Sequence, residues 1–96
     1  MVIIKTNLFR SRFRDIVFYI AKDKKEAAKG FKNKLNVAIE NLTNFPYKYR
    51  QSYYYHDENI RDMAFDGYSI IYRIDTAREL IEILEIFNQN TPEIQQ

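Results

Sequence analysis

Apolar residues recur along this chain with two different periods. From Phe9 onward the period is helical: Phe9, Phe13, Ile16 and Ile20 follow at intervals of four, three and four, which lays one apolar stripe along a helix. Thr6 or Asn7 can cap that helix, since either side chain can accept from a free helix N–H. Arg10, Arg12 and Arg14 fall off the stripe and are expected to face water. A second stripe follows in Ala28, Phe31, Leu35, Ala38 and Leu42. Asp23 followed by Glu26 resembles a capping box for this second helix. Gly30 sits inside it and costs about 1 kcal/mol against Ala. Pro46 pushes Phe45 out of the helical region, so the helix is predicted to end near Asn44. Two helices with so short a connection read as an antiparallel hairpin.

Elsewhere the period is that of strands. Val2 to Lys5 is a short β-branched run, read as an edge strand. Tyr47 to Asn59 is aromatic and polar without a clear period, with a short strand expected around Ser52 to Tyr55. "IRDMAF" reads as a strand. Asp66-Gly67 then gives a strong hairpin signal, because both turn positions need positive φ. Tyr68 to Asp75 is the return strand, with Tyr68, Ile70, Tyr72 and Ile74 on one face. After a second turn, "LIEILEIF" is the last strand. Strict alternation puts Leu80, Leu84 and Ile86 on one face and Ile81, Ile83 and Phe87 on the other. Apolar groups on both faces predict a central place in the sheet. The fold class is therefore α+β: an N-terminal strand, a helical hairpin, then a three-stranded antiparallel meander, in two layers. Residues 1–96 are read as a single domain, with about 89–96 a flexible tail that has little to bury.

Composition narrows the chemistry. The chain has no cysteine, which removes disulfides, thiolate nucleophiles and Cys-based metal sites. No stretch approaches the roughly 18 apolar residues of a membrane span. A cytoplasmic location and no membrane partner are the expectation. The charge is divided. Residues 1–50 carry twelve Lys/Arg against four Asp/Glu, a net of +8, whereas residues 51–96 carry three against nine, a net of −6. The basic half would draw an acidic partner or nucleic acid, and the competing reading is a solvated helical face.

Candidate catalytic groups are few. His56 is the only histidine and so the only side chain titrating near neutrality by default, but "YYYHDENI" reads as a surface turn. Asp57, Glu58 and Asp62 lack a metal-ligand spacing. Ser11, Ser52 and Ser69 lack a nucleophile-elbow context. The two glycines, Gly30 and Gly67, make no phosphate-binding loop. No cofactor or metal is expected. "YKYRQSYYYH" interleaves basic and aromatic residues: Lys48 and Arg50 can contact a partner while the tyrosine rings stack or pack. Arg61 and Arg73 lie on neighbouring strands that can bring them to one face, where paired arginines bind phosphate or carboxylate. The competing role for each is an internal salt bridge to Asp62, Asp75 or Glu85.

Two blocks then show a resemblance. "FRDIVFYIAKDKKEAAKGFKNKLNVAIENLTNFP" is similar to the helical hairpin, ending in Phe-Pro, of the RelE/ParE superfamily of type II toxin–antitoxin toxins. "NIRDMAFDGYSIIYRID" with "LIEILEIF" resembles that superfamily's strand pair and final aliphatic strand. The resemblance spans residues 2 to about 88. RelE-like members cut messenger RNA on the ribosome with Lys and Arg on the sheet and, in many, a C-terminal Tyr or His. ParE-like members act on DNA gyrase and lack most of that set. Here the ribonucleases' Gly-Tyr-Arg is Gly67-Tyr68-Ser69. Met63, Ala64 and Phe65 stand where basic residues are found in them, and "FNQNTPEIQQ" ends the chain without Arg, Tyr or His. In-line cleavage by a 2′-OH needs activation, charge stabilisation and a proton donor, so the sequence resembles the ParE branch.

The resemblance implies a toxin that works by binding a protein, gyrase, and is neutralised by a cognate antitoxin laying an extended segment and an amphipathic helix on it. Arg61, Arg73, Tyr68, Lys48 and Arg50 are its expected partner contacts, and direct DNA binding is not expected. The alternatives are a ribosome-dependent messenger-RNA endonuclease using Arg61, Arg73 and His56, and a non-toxic binding module of the same fold.

Overall fold

A computed structural model describes residues 1–89. The chain forms β1 (Val2–Lys5), α1 (Asn7–Asp23), α2 (Lys25–Glu40), a 3₁₀ turn (Asn41–Thr43), β2 (Arg50–Gln51), β3 (Ile60–Phe65), β4 (Tyr68–Asp75) and β5 (Leu80–Asn88). The strands make one five-stranded sheet in the order β1-β5-β4-β3-β2. β3, β4 and β5 are an antiparallel meander, and β1 joins β5 in parallel at the sheet's edge. The α+β arrangement of strand, helical hairpin and meander is the one expected from the pattern.

Thr6 terminates β1 and starts α1. Its N–H donates to Ile83 O (3.1 Å) and its Oγ1 donates to Leu84 O (2.7 Å). The same Oγ1 accepts from Phe9 N (3.0 Å), satisfying a first-turn donor that would otherwise lack a partner. The expected box at Asp23 is not used. α1 continues through Asp23, and Lys24, in extended conformation, is the single residue between the helices, with no side-chain cap on α2. Lys24 N–H closes α1 on Ile20 O (3.0 Å). The α-helical part of α2 ends at Glu40 instead of near Asn44, because its last turn tightens to 3₁₀ geometry before Pro46.

The main core lies between the helices and one face of the sheet. Phe9, Phe31, Leu35, Ile39 and Leu42 meet Met63, Ile70, Tyr72, Ile74, Ile81, Ile83 and Ile86 there. A smaller cluster of Ile60, Ile71 and Phe87, with Leu84 against it, occupies the other face. Ile86 and Phe87 are thus exchanged relative to strict alternation. The register slips between Ile71, opposite Glu85, and Tyr72, opposite Ile83. Leu84 is the extra residue of this bulge, and one extra residue reverses the facing of everything after it.

The hairpin turn is as expected. Asp66 and Gly67 both have positive φ, 49° and 84°, and Phe65 pairs with Tyr68. The short strand is Arg50–Gln51, paired with Asp62 and Arg61, not Ser52 to Tyr55. The tyrosines leave the ladder because side chains take their donors: Tyr53 N–H bonds Asp62 Oδ2 (3.1 Å) and Tyr54 N–H bonds Ser52 Oγ (3.1 Å). Local side-chain bonds of this kind compete with strand pairing. Of the expected tail, Gln89 is tied to Gly67 O (2.9 Å), and residues 90–96 lie outside the described residues.

Candidate functional site

The register decides what the candidate arginines can do. Arg61 pairs with Tyr72 and Arg73 with Ile60, and directly paired residues share a face. Arg61 therefore lies on the helix face and Arg73 on the other, so the expected convergence of the two does not occur. Arg61 is engaged by backbone: Nε donates to Glu58 O (2.9 Å) and an NH1 to Tyr49 O (3.0 Å), while the guanidinium lies 4.8 Å from the Tyr47 ring centre. Arg73 pairs with Glu82 on the neighbouring strand, a partner not among those expected. His56 lies exposed in the loop between β2 and β3. These three groups do not assemble around a common point.

Arg50 lies 3.5 Å from Asp62 and its guanidinium lies over the Tyr53 ring at 3.4 Å. Asp62 is buried, and its Oδ1 has no hydrogen-bond partner among the described residues. Lys48 reaches over the Tyr49 ring at 5.4 Å. Tyr68 packs on Phe31, 5.3 Å between ring centres, so half of it serves the core.

Burial raises the pKa of three tyrosines. Tyr72 is fully buried and its hydroxyl donates to Pro46 O (2.6 Å); loss of solvation pushes its pKa well up. Burial also raises Tyr68, with Tyr19 adding to it. Tyr55 is raised by burial first and then by the neighbouring Glu85 carboxylate. Each holds its proton more tightly folded than unfolded, where the value is 10.0. Their stabilisation is complete below the unfolded value and is lost as pH rises through the folded ones. The urea midpoint is therefore expected to fall above about pH 10, the unfolded tyrosine value. Tyr72→Phe should flatten that fall, at a neutral-pH cost of about 1–2 kcal/mol for the lost hydrogen bond.

A crevice of about 300 Å³ lies between α1 and α2. Phe9, Phe13, Val17 and Phe18 supply its apolar lining. Lys5, Arg10, Arg14 and Lys32 supply its charge, and no carboxylate lines it. Lys25 and Lys29 lie seven and three positions before Lys32 and so fall on the same flank of α2. None of these cations is neutralised internally: among the described residues the ion pairs are Arg50–Asp62, Arg73–Glu82 and Arg78–Asp75, all away from the helices. Asn36 also lines the crevice, and its buried Oδ1 has no partner among the described residues. Sequence reading placed Arg10 and Arg14 in water and did not assemble this crevice. The signal was present, since Arg10/Arg14 and Lys25/Lys29/Lys32 each repeat at helical spacing.

Together the elements build a helical hairpin on a meander sheet, with a basic crevice between the helices and with Arg61 and Arg73 each partnered within the fold. Residues 3–91 match the family described as ParE toxin of type II toxin-antitoxin system, parDE, and the chain belongs to that family. No curated protein matches it in sequence. Among solved structures it is similar to one described as the chromosomal ParDE TA system from P. aeruginosa, with 15% identity, a TM-score of 0.72, and coverage of 92% of this chain and 95% of the other. At that identity the likeness concerns the fold.

Proposed function

We propose that this chain arrests growth by binding a protein target, DNA gyrase by family resemblance, and is neutralised by an acidic antitoxin segment seated in the crevice between α1 and α2. The carrying observation is the crevice itself: four cations, no carboxylate, and an aromatic lining. An amphipathic acidic helix complements both its charge and its apolar floor. The outer edge of β1, where Val2 and Ile4 are exposed, offers an extended continuation of the partner a strand to pair with.

Ribonuclease chemistry has less support, because Arg61, Arg73 and His56 do not converge and both arginines are already partnered. The deciding experiment induces the chain alone and together with the acidic protein encoded by a neighbouring reading frame. Growth arrest, its relief by the neighbour, and loss of supercoiling by purified gyrase are the expected results. Unimpaired supercoiling at arresting concentrations would remove gyrase from the reading. Continued growth would favour the non-toxic module, and new 5′ ends on messages the nuclease.

A further inference from the structure

The two edges of the sheet differ. β2 is two residues long, and the amides of Tyr53 and Tyr54 beyond it are taken by side chains. β1 runs for four residues without proline, and among the described residues no strand pairs with its outer side. Its backbone alternates. Val2 N–H donates to Glu79 O (3.1 Å) and Thr6 N–H to Ile83 O (3.1 Å), so the even-numbered positions turn their polar groups toward β5. By the two-residue period, Ile3 and Lys5 turn theirs outward. The side chains alternate as well. Val2 is 65% and Ile4 44% exposed, whereas Ile3 packs against the main core. Val2 and Ile4 therefore stand on the sheet face away from the helices. An edge of this kind is open to another strand unless charge, proline or a bulge blunts it. Lys5 is the only charged side chain in β1.

The length of the edge decides what fits it. Beyond Lys5 the backbone is committed, since Thr6 bonds β5 through its amide and its hydroxyl and starts α1. Four outward groups remain, the N–H and C=O of Ile3 and of Lys5. A second copy of β1, antiparallel about a twofold axis at Ile4, uses all four. Each Ile3 exchanges two hydrogen bonds with the partner's Lys5, and the two Ile4 residues face one another as a non-hydrogen-bonded pair. The arrangement is self-complementary and closes after two copies. Its weakness is charge. The two Lys5 residues become diagonal neighbours, roughly 7–8 Å apart, and they repel. Added salt screens that repulsion.

We propose that free chains associate through β1 into an antiparallel twofold dimer with Ile4 on the axis, and that the acidic antitoxin displaces the second copy. An acidic segment relieves the Lys5 repulsion that the second copy creates. The displacement rests on the antitoxin reading above; the pairing of copies does not.

The chain has no cysteine, so single thiols report the register. Ile4→Cys places two thiols on residues about 4.5 Å apart between Cα atoms, within disulfide reach. Val2→Cys places them about 14 Å apart, four strand positions out of register. Under mild oxidation Ile4→Cys is expected to dimerise covalently at least about 10-fold faster than the more exposed Val2→Cys, because pairing holds its thiols at high effective concentration. Sedimentation of the wild-type chain should show a dimer that grows with protein concentration and with salt. Ile4→Glu, which sets two carboxylates face to face on the axis, should remain monomeric with its circular dichroism unchanged. Equal crosslinking at the two positions, or a wild-type chain monomeric at every concentration, overturns the dimer. Saturation with the acidic neighbouring-frame protein should suppress crosslinking of Ile4→Cys. If that protein binds and crosslinking is unchanged, the displacement is overturned and the pairing of copies stands.

Discussion

Phe9→Ala is expected to destabilise the protein by about 3–5 kcal/mol, the range for removing a fully buried aromatic ring. Phe9 is wholly buried and stacks on Phe13 with ring centres 5.4 Å apart. It reaches the β-sheet core on one side and the floor of the crevice on the other. A domain of this size holds only about 5–15 kcal/mol of net stability, so the variant would be close to unfolding. Chemical denaturation followed by circular dichroism measures it directly. Phe9→Leu refills most of the volume and should cost about 1–1.5 kcal/mol. A loss below about 1 kcal/mol for the alanine variant would mean that the helices can collapse onto the gap. The hairpin would then be less firmly seated than its packing indicates. Because Thr6 caps α1 through the Phe9 amide and not its side chain, the cap survives the substitution, and the measured loss reports packing.

The second large effect concerns recognition. Reversing two crevice charges, Arg14→Glu with Lys32→Glu, is expected to weaken binding of the acidic antitoxin by at least about 100-fold. Both side chains are exposed, and neither takes part in the ion pairs among the described residues. The fold should therefore be unaffected, which denaturation verifies. Most of the loss should appear in the association rate, and wild-type binding should itself weaken with added salt. Equal losses from reversing Arg12 and Lys34, which lie two positions from Arg14 and Lys32 and so on other flanks of the helices, would show a diffuse charge effect and not a crevice. The double reversal is confined to the crevice between the helices, so growth arrest should persist where the antitoxin no longer restrains the toxin.

How much of this was legible beforehand follows from the range of each signal. The helical stripes were, because period alone brings Phe9, Phe13, Ile16 and Ile20 together. The Asp66-Gly67 hairpin was, because positive φ at two successive positions strongly favours such residues. That turn also contained an unused consequence. A two-residue loop pairs Phe65 with Tyr68 and hence Arg61 with Tyr72, which already places Arg73 on the opposite face. The bulge at Leu84 was not legible: it is fixed by Thr6 reaching Leu84 O from 78 positions away. Nor was the loss of a strand at Ser52 to Tyr55, since it depends on the Asp62 carboxylate taking the Tyr53 amide.

By itself the sequence determined the order of elements, the apolar faces of the helices, the hairpin turn and the division of charge, all consequences of local period and backbone preference. Only the tertiary structure decided which cations share a surface. Contacts between distant segments commit Arg61 to backbone carbonyls, pair Arg73 with Glu82, and gather Lys5, Arg10, Arg14 and Lys32 around one crevice. The physical reason is that a side chain's availability depends on what packs beside it, and that neighbour is set by strand register and helix docking, not by adjacency in the chain.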